Sequence, residues 1–452
     1  MAANALEAGD GRSLNDELAA RQGDPAALER LYQRVRAEGN EVLFREALRQ
    51  CLLAHPGDVL YEAWAYRLGV DVGRGGEPRP RRPWPLLIGM SVVLGLVSAL
   101  LAGGRPPVPD PGEASPWFWV GWGPLVATGL MAYLAWHERG RRVIRYVLAA
   151  GLLGLVALYT GITLGDRADD AAILAALHLP FLSWAVVGAA LCLGYPDPAR
   201  QAYAYLVKSV EVVLTGGIFF GAGMMFVGLT YGIFAVIGVE LPEEDLTWVA
   251  AWAVGALPLL AAGSVYDASV PPASQDARSG LTRTIRILAR LLLPLALGVL
   301  VVYVLWFLPV YFRKPFEERN VLIVYNLTIL AIMVLLTVVV SDPMEGRGAA
   351  RSLFRYAVLG LGGLTLVLNV YALAAVTSRL LTFGLTPNRV AVVGWNCATL
   401  LIMAGVGLRL VRARRAPWLD VFRTSIGRYA PLAALWALAL LLLLPWLPPP
   451  TP

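Results

Sequence analysis

From Trp84 to its end, the chain alternates long apolar runs with short polar segments. About eleven of these runs reach the length at which an α-helix crosses the hydrocarbon core of a bilayer, roughly 20 residues. The pattern predicts an all-α, polytopic membrane protein with about 11 transmembrane helices. The predicted spans are residues 84–104, 117–137, 143–164, 171–194, 206–239, 246–265, 287–310, 320–340, 353–376, 388–411 and 429–447.

The fifth predicted span, residues 206–239, is long enough for one tilted helix or for two segments. Arg200 and Lys208 flank its start and an acidic group follows its end, which favours one span. Lys208 also lies one turn from Glu211, and we interpret the two as a structural ion pair. Small residues let helices approach closely in lipid, so we expect this helix to be central in the bundle. Its small-residue motifs pair Gly217 with Gly221 and Gly228 with Gly232.

Positive charge is unevenly distributed among the loops, and this predicts how the chain is oriented. The chain has 38 Lys and Arg against 32 Asp and Glu, a net charge of +6. With the N-terminus in the cytoplasm, the inner loops hold about three times as many cations as the outer loops, as the positive-inside rule requires. An odd number of spans then places the C-terminus on the outer side of the membrane.

Composition narrows the classes of partner and chemistry. Hydrophobic residues make up 57% of the chain and charged residues 15%, whereas a soluble domain carries about a quarter charged residues. The cations lie beside apolar runs, which indicates contact with the lipid bilayer rather than with nucleic acid. Three His and three Cys on separate segments predict no metal site and no cofactor. No catalytic motif is present, so the sequence assigns no catalytic residue.

Residues 1–78 differ from the rest and predict a small soluble N-terminal helical domain, joined by a linker at 79–83 to the multi-span domain at 84–452. Asp24 is placed to cap the first of three predicted helices, with Pro25 at its first position. The domain is either a docking module for a cytoplasmic protein partner or a helical cap that packs on the loops of the membrane domain. Its apolar positions at helical spacing are Leu28, Leu31, Tyr32, Val35, Val42, Leu43, Leu48, Leu52, Leu60, Trp64 and Leu68.

Polar side chains at membrane depth are costly, so they face protein or water rather than lipid. Four of them lie on four different predicted spans, each roughly 10 to 15 Å from the outer face at helical rise. One interpretation is an outward-facing ligand-binding pocket, rimmed by charged residues of the outer loops. The other is interhelical hydrogen bonding by the same side chains. The proposed lining residues are His178, Asn326, Asn369 and Asn396, and the rim residues are Glu317, Glu318, Arg319 and Arg389.

A short stretch before the tenth span carries a family resemblance. Residues 381–389, Leu-Thr-Phe-Gly-Leu-Thr-Pro-Asn-Arg, look like the signature of a bacterial integral-membrane family known as domain of unknown function 4153. Residues 316–323 also resemble the pattern of that family, and the likeness covers roughly the last two-thirds of the chain. The resemblance implies a polytopic protein of the bacterial inner membrane without assigned activity, and the outer side on which the C-terminus is predicted to lie is then the periplasm. The N-terminal domain lies outside it.

The same motif has a physical interpretation of its own. Thr386 can cap the tenth helix through its hydroxyl. Asn388 and Arg389 then lie beside the free N–H groups of a helix N-terminus, a place suited to anions. The alternative is a loop held in place by an ion pair between Arg389 and either Glu317 or Glu318. We include Asn388 among the candidate ligand-binding residues.

These features predict transport or sensing of a small polar or anionic solute at the outward-facing site. The alternative is a non-transporting membrane scaffold or regulator of envelope processes, whose N-terminal domain docks a cytoplasmic partner. A lipid-modifying enzyme is a third interpretation, and it depends on the acidic outer loop at residues 166–170.

Overall fold

The computed structural model describes residues 14–55, 58–68, 70, 83–103, 115–138, 141–164, 170–239, 242–275, 280–341, 349–413 and 417–448. Within these ranges the secondary structure is helical, with no strand. Eleven helices are long and apolar enough to cross a membrane. The prediction of an all-α, multi-pass architecture is therefore confirmed. The chain divides into two compact units, Met1–Arg82 and Pro83–Pro452, and the linker predicted at 79–83 falls almost entirely outside the described residues.

Among its described residues, the first unit contains four helices, one more than the three predicted. Asp24 caps its second helix, as predicted, because its Oδ1 accepts hydrogen bonds from two backbone N–H groups at 3.0 Å each. Pro25 occupies the first position of that helix. Asp58 caps the last helix through backbone N–H groups at 2.9 and 3.2 Å. The helices are α1 (Leu14–Ala19), α2 (Pro25–Ala37), α3 (Glu41–Ala54) and α4 (Val59–Leu68).

The additional helix, α1, is anchored to α4 by a single buried side chain. Leu18 is fully buried, and its carbonyl oxygen accepts a hydrogen bond from the Tyr61 hydroxyl at 3.0 Å. Burial raises the pKa of Tyr61 to about 12. With only six residues and few apolar positions, α1 lacks a periodic pattern that sequence reasoning could detect.

The core of this first unit is an aromatic cluster. The ring of Tyr32 lies 5.2 Å from that of Phe44 and 5.3 Å from that of Trp64, centroid to centroid. Two predicted apolar positions differ from expectation, because Val42 is 78% exposed and Leu43 is 41% exposed. The buried stripe of α3 runs instead through Phe44, Ala47, Leu48, Cys51 and Leu52.

The second unit consists of long helices joined by short connections. A π-helical segment, Tyr303–Phe307, follows the seventh of them, and 3₁₀ turns occur at Pro272–Ser274 and Leu444–Trp446. The helices are α5 (Trp84–Ala102), α6 (Pro116–Trp136), α7 (Arg141–Leu164), α8 (Asp170–Cys192), α9 (Pro198–Val236), α10 (Glu243–Val265), α11 (Gly280–Val302), α12 (Leu308–Val310), α13 (Lys314–Glu317), α14 (Arg319–Val339), α15 (Ala349–Phe383), α16 (Pro387–Arg412), α17 (Trp418–Tyr429) and α18 (Pro431–Leu443).

Several helix ends differ from the predicted spans. α9 begins at Pro198 and continues for 39 residues without a break, which fits one span rather than two. At helical rise it is about 58 Å long, roughly twice the thickness of a hydrocarbon core. α15 extends to Phe383, so little of the predicted outer loop before the tenth span is irregular. The last predicted span is preceded by a separate helix, α17, which ends just before Pro431.

The buried apolar side chains of this unit form two large clusters. One is built mainly on α11, α14 and α15, and the other on α5 to α10. A smaller cluster joins α8, α16 and α18. At Gly427 of α17, an added Cβ would lie 1.8 Å from the Ala199 carbonyl oxygen of α9, so these two helices touch backbone to backbone. α16 contacts α8, α15, α17 and α18, which makes it a meeting point of the bundle.

The expectation that α9 is central in the bundle is wrong for its second half. All of its buried side chains lie between Gln201 and Thr215, and none is buried from residue 216 to 236. The helices that pack on α9, chiefly α8, α10 and α17, therefore cover its first half. A Cβ added to any glycine of the two small-residue motifs would meet nothing within 4 Å, at Gly217, Gly221, Gly228 and Gly232.

Candidate functional site

Two of the predicted polar residues are joined directly by a hydrogen bond. Asn396 on α16 donates from Nδ2 to the Asn326 Oδ1 on α14 at 2.8 Å. The same amide group donates to the Val392 carbonyl oxygen, one turn earlier, also at 2.8 Å. Asn326 in turn donates to the Leu322 carbonyl oxygen of its own helix at 2.9 Å. The contact fixes the side-chain orientation of both amides.

A third predicted residue reaches the same part of α16 through a threonine. Asn369 on α15 donates from Nδ2 to Thr399 Oγ1 at 2.6 Å. The Thr399 hydroxyl lies 2.9 Å from the Trp395 carbonyl oxygen and 3.1 Å from that of Asn396, and it donates to these acceptors. Thr399 therefore links the Asn369 side chain to the backbone of α16 beside Asn396.

His178 on α8 reaches α16 through a tryptophan. Trp395 Nε1 donates to His178 Nε2 at 2.7 Å, and the two rings are stacked with an interplanar angle of 29°. His178 Nδ1 lies 2.6 Å from the Leu174 carbonyl oxygen. Because Nε2 accepts and Nδ1 must donate, these bonds assign the proton to Nδ1 and make the ring neutral.

Six residues thus form one polar group around α16, which we call the α16 network. Its members are His178, Asn326, Asn369, Trp395, Asn396 and Thr399. The structure brings together all four residues that the sequence placed at one membrane depth. Trp395 and Thr399 were not predicted, although their spacing of one turn along α16 places both beside Asn396.

The α16 network is only half satisfied. Asn369 is fully buried and Asn396 is 1% exposed. Among the described residues, neither Asn369 Oδ1 nor Asn396 Oδ1 has a hydrogen-bond partner. A buried acceptor left without a donor costs about 1–3 kcal/mol, and a partly satisfied polar network is less stable than an apolar core of the same shape. The two oxygens are therefore a source of instability that a hydrogen-bond donor would remove.

The predicted rim residues are bonded locally. Glu318 pairs with Lys314 at 3.4 Å, and both side chains are exposed. Glu317 is exposed, and its backbone carbonyl accepts a hydrogen bond from Arg379 at 2.8 Å. The backbone of Arg319 begins α14, but its side chain lies outside the described residues. These contacts join neighbouring segments and do not extend to the α16 network.

The motif at the start of α16 is held together by its own backbone. Thr386 caps α16, as predicted, by accepting from the Arg389 backbone N–H at 3.4 Å. The Arg389 guanidinium donates to the carbonyl oxygens of Phe383 and Gly384 at 2.7 and 2.8 Å. One of these carbonyls belongs to the last residue of α15 and the other to the glycine after it. The predicted alternative of an ion pair with Glu317 or Glu318 is not what the described side chains show. Asn388 bonds to the Asp170 carboxylate at the start of α8.

Charged side chains are also buried in this unit. Lys208 and Glu211 on α9 form the predicted ion pair, with Nζ and Oε2 2.6 Å apart. Glu138 and Arg145 form another, with the Tyr146 hydroxyl nearby. Within the part of the chain that the structure describes, no group of three His, Cys, Asp or Glu is placed to hold a metal ion.

In the α16 network, the donor groups are neutral and already hydrogen-bonded, whereas two acceptor oxygens have no partner among the described residues. Its chemistry is that of recognition by hydrogen bonding, since its histidine is bonded on both nitrogens and it contains no charged side chain. The comparisons add no relative from which a role could be transferred. No protein-family model, curated protein or solved structure matches this chain.

Proposed function

We propose that this is a bacterial inner-membrane protein that transports or senses a small polar solute at the α16 network, with its N-terminus in the cytoplasm. One observation carries the proposal: Asn369 and Asn396 each keep a buried amide oxygen without a donor. Residues that served only to join helices would be fully bonded, because a half-bonded amide destabilises the bundle. Retaining two such amides is explained if a ligand completes their hydrogen bonds.

The open groups indicate the chemistry of the solute. An amide oxygen accepts hydrogen bonds and coordinates cations, and it repels anions. The solute therefore presents N–H or O–H groups or a positive charge, as an amine or a polyol does. This narrows the sequence-based expectation of a polar or anionic solute to its hydrogen-bond-donating members.

The resemblance to domain of unknown function 4153 also points to α16. The motif at residues 384–389 forms the turn and first residues of α16, the helix on which the network is centred. We include membership of that family in the proposal.

The decisive experiment is a structure of the full chain isolated from native membrane into nanodiscs. We expect non-protein density within hydrogen-bonding distance of Asn369 Oδ1 and Asn396 Oδ1. The variants Asn369→Leu and Asn396→Leu, which keep the branched shape of the side chain, should lose that density. Thr328→Val is the matched control, because Thr328 is an exposed polar residue of α14 that bonds only to its own helix. Both oxygens packed against apolar side chains, with no density in the wild type, would contradict the proposal.

A panel of added solutes then identifies the chemical class of the ligand. Ammonium chloride, ethanolammonium chloride and glycerol offer donors, whereas acetate, added as the sodium salt and compared with sodium chloride at equal concentration, adds only an acceptor. A bound ligand raises the unfolding midpoint according to its concentration relative to its dissociation constant. We expect donor solutes to raise the midpoint in the wild type and in Thr328→Val but not in the two Leu variants. Stabilisation by acetate alone would contradict the assigned ligand class.

A second candidate function is that of a non-transporting membrane scaffold or regulator of envelope processes. The separate hydrophobic core of the first unit favours it. Residues Met1–Arg82 form a compact unit whose buried side chains pack among themselves, as a docking module for a cytoplasmic protein would. Deleting residues 1–78 distinguishes the two candidate functions. A transporter or sensor should keep its response to solute, whereas a scaffold should lose its cellular role while still inserting into the membrane.

A further inference from the structure

A buried ion pair lies against the second end of α8, away from His178. Glu138, just after α6, pairs with Arg145 in the second turn of α7, and the two side chains are 8% and 15% exposed. The Tyr195 hydroxyl, just past the end of α8, donates to Glu138 Oε1 at 3.4 Å. The Arg145 guanidinium also lies over the Tyr195 ring, 5.4 Å from its centroid. The pair therefore joins the turn between α6 and α7 to the turn between α8 and α9.

Arg145 fits against the end of α8 only because residue 194 is a glycine. A Cβ added to Gly194 would overlap Arg145 Nη1, so the guanidinium occupies the space of the missing side chain. Arg145 Nη2 donates to the Tyr146 hydroxyl at 3.1 Å, and the Tyr146 ring centroid lies 4.8 Å from the guanidinium carbon. Shape, aromatic contact and charge together hold Arg145 in this position.

The closed arrangement around Arg145 leaves hydrogen-bonding capacity unused. Glu138 Oε2 and Arg145 Nε and Nη1 are buried without a partner among the described residues, although an arginine and a carboxylate can form two parallel bonds. The turn that Arg145 contacts is also strained. Asp197 has a φ of 53°, a left-handed conformation that residues other than glycine adopt rarely and keep only where their surroundings hold them. Both features reduce the free-energy difference between this arrangement and an open one.

The middle of α8 rests on α6 at one close contact. A Cβ added to Gly123 of α6 would lie 2.7 Å from the Cα of Pro180, so the two backbones touch. Pro180 lies inside α8, where a proline removes a backbone hydrogen bond and allows a helix to bend. On one side of Pro180, His178 bonds to α16. On the other side, Gly194 accommodates Arg145. The Gly123–Pro180 contact is therefore placed to act as a pivot for the second half of α8.

We propose that the second half of α8 moves away from α7 about the Gly123–Pro180 contact, and that Arg145 and Glu138 form the latch that keeps it closed. Opening exchanges the contacts between the latch and the α8–α9 turn for water at Glu138 Oε2 and Arg145 Nε, which lack partners in the closed arrangement. The ion pair itself stays on the α6–α7 side. The latch does not depend on the ligand of the α16 network, so it goes beyond the function proposed above.

Cys192 reports the opening. It is the last residue of α8, two residues before Gly194, and it is 4% exposed. In the full chain in nanodiscs, with Cys51→Ser and Cys397→Ser as the background, a maleimide reacts with Cys192 only in the open state. The labelling rate therefore follows the open fraction. We expect slow but complete labelling of this background chain under native conditions.

Two substitutions in the latch should each raise the labelling rate about tenfold or more, the effect of one charge-assisted contact on an opening equilibrium. Glu138→Gln leaves Arg145 without a counter-charge in the closed arrangement, and Gly194→Ala fills the space that its guanidinium occupies. Glu318→Gln, in an exposed ion pair, and Gly151→Ala, at a glycine with open space around it, are the matched controls. Both should label as the background chain does.

A second reporter distinguishes opening of the latch from loosening of the whole helix. Ala175, in the first half of α8, is 1% exposed. Ala175→Cys, in a chain with Cys192→Ser, should label at the same rate with and without Glu138→Gln. The proposal is overturned if either latch variant, purified in folded form, labels Cys192 no faster than the background chain. It is also overturned if Cys192 of the background chain does not react under native conditions, or if Glu138→Gln accelerates both reporters equally.

Discussion

The α16 network and the Lys208–Glu211 pair are both polar groups buried in lipid-spanning helices, and they differ in how far their members satisfy one another. In the network, each side-chain nitrogen makes a hydrogen bond, while two amide oxygens have no partner among the described residues. At the pair, a buried cation and a buried carboxylate lie 2.6 Å apart and balance each other's charge. Polar residues at membrane depth are thus not interchangeable, because only unfilled hydrogen-bonding capacity can accept a ligand.

The difference also separates the energetic roles of the two places. Losing one partner of the ion pair leaves an uncompensated charge, which costs several kcal/mol. Losing the Asn369 amide removes one hydrogen bond together with one unsatisfied oxygen, and these two effects nearly cancel. Stability measurements on single variants therefore distinguish the two places most sharply.

The largest expected effect comes from Lys208→Met. Glu211 then stays buried without its cation, and we expect the free energy of unfolding to fall by about 3–5 kcal/mol at neutral pH. Denaturant titration in detergent micelles measures the loss. Lys314→Met is the control, because this exposed pair should contribute under about 1 kcal/mol. Equal losses in the two variants would mean that the Lys208 pair is effectively solvated.

A smaller loss is expected from Trp395→Phe in the α16 network. The substitution leaves His178 Nε2 without its donor in a low-dielectric setting, which costs about 1–3 kcal/mol. Adding His178→Leu removes the unsatisfied acceptor, so the double variant should recover part of that loss. Trp446→Phe, at a residue that is 80% exposed, is the matched control and should be neutral. Additive losses in the double variant would show that the His178–Trp395 bond is energetically insignificant.

The first unit supplies a carboxylate near its surface for comparison with Glu211. Hydrogen bonds from the Gln22 side chain and from backbone N–H groups of α4 hold the pKa of Asp58 below its ordinary value of 3.8. Because the folded-state pKa is lowered, this contribution is present above about pH 4 and is lost as pH falls through the folded-state value.

Asp58→Ala should therefore destabilise α4 by about 1 kcal/mol at neutral pH, the usual contribution of a helix cap. Hydrogen exchange of the Leu60 and Tyr61 amides in the full chain should accelerate about fivefold. The difference from the wild type should vanish in acid, once exchange is corrected for its intrinsic pH dependence. A difference that persists there would assign the effect of Asp58 to packing rather than to its charge.

Local signals in the sequence were enough for much of this architecture. The apolar runs located the spans, and Asp24 and Thr386 were identified as helix caps from adjacent residues alone. Because polar groups are costly in lipid, four side chains at a similar depth on separate spans were predicted to face protein or water. In the structure, they meet around α16.

Features that depend on helix rotation and on distant packing could not be predicted. Trp395 and Thr399 resemble many other residues of a membrane helix until the rotation of α16 turns them toward α8 and α15. The burial of Lys208 depends on the helices that cover the first half of α9, and the exposure of Gly221 depends on their absence from its second half. Arg389 bonds to the end of α15 because that helix is longer than its apolar run.

Asn369→Leu should have the smallest effect on stability and the clearest effect on function. The substitution removes one hydrogen bond to Thr399, worth about 1 kcal/mol, and one buried oxygen whose lack of a partner costs about as much or more. We expect a free energy of unfolding within about 1 kcal/mol of the wild type, or above it, in the absence of solute. Stabilisation by donor solutes should be abolished, because the accepting oxygen is gone. A loss of several kcal/mol without solute would show that Asn369 joins helices, and the α16 network would then be structural.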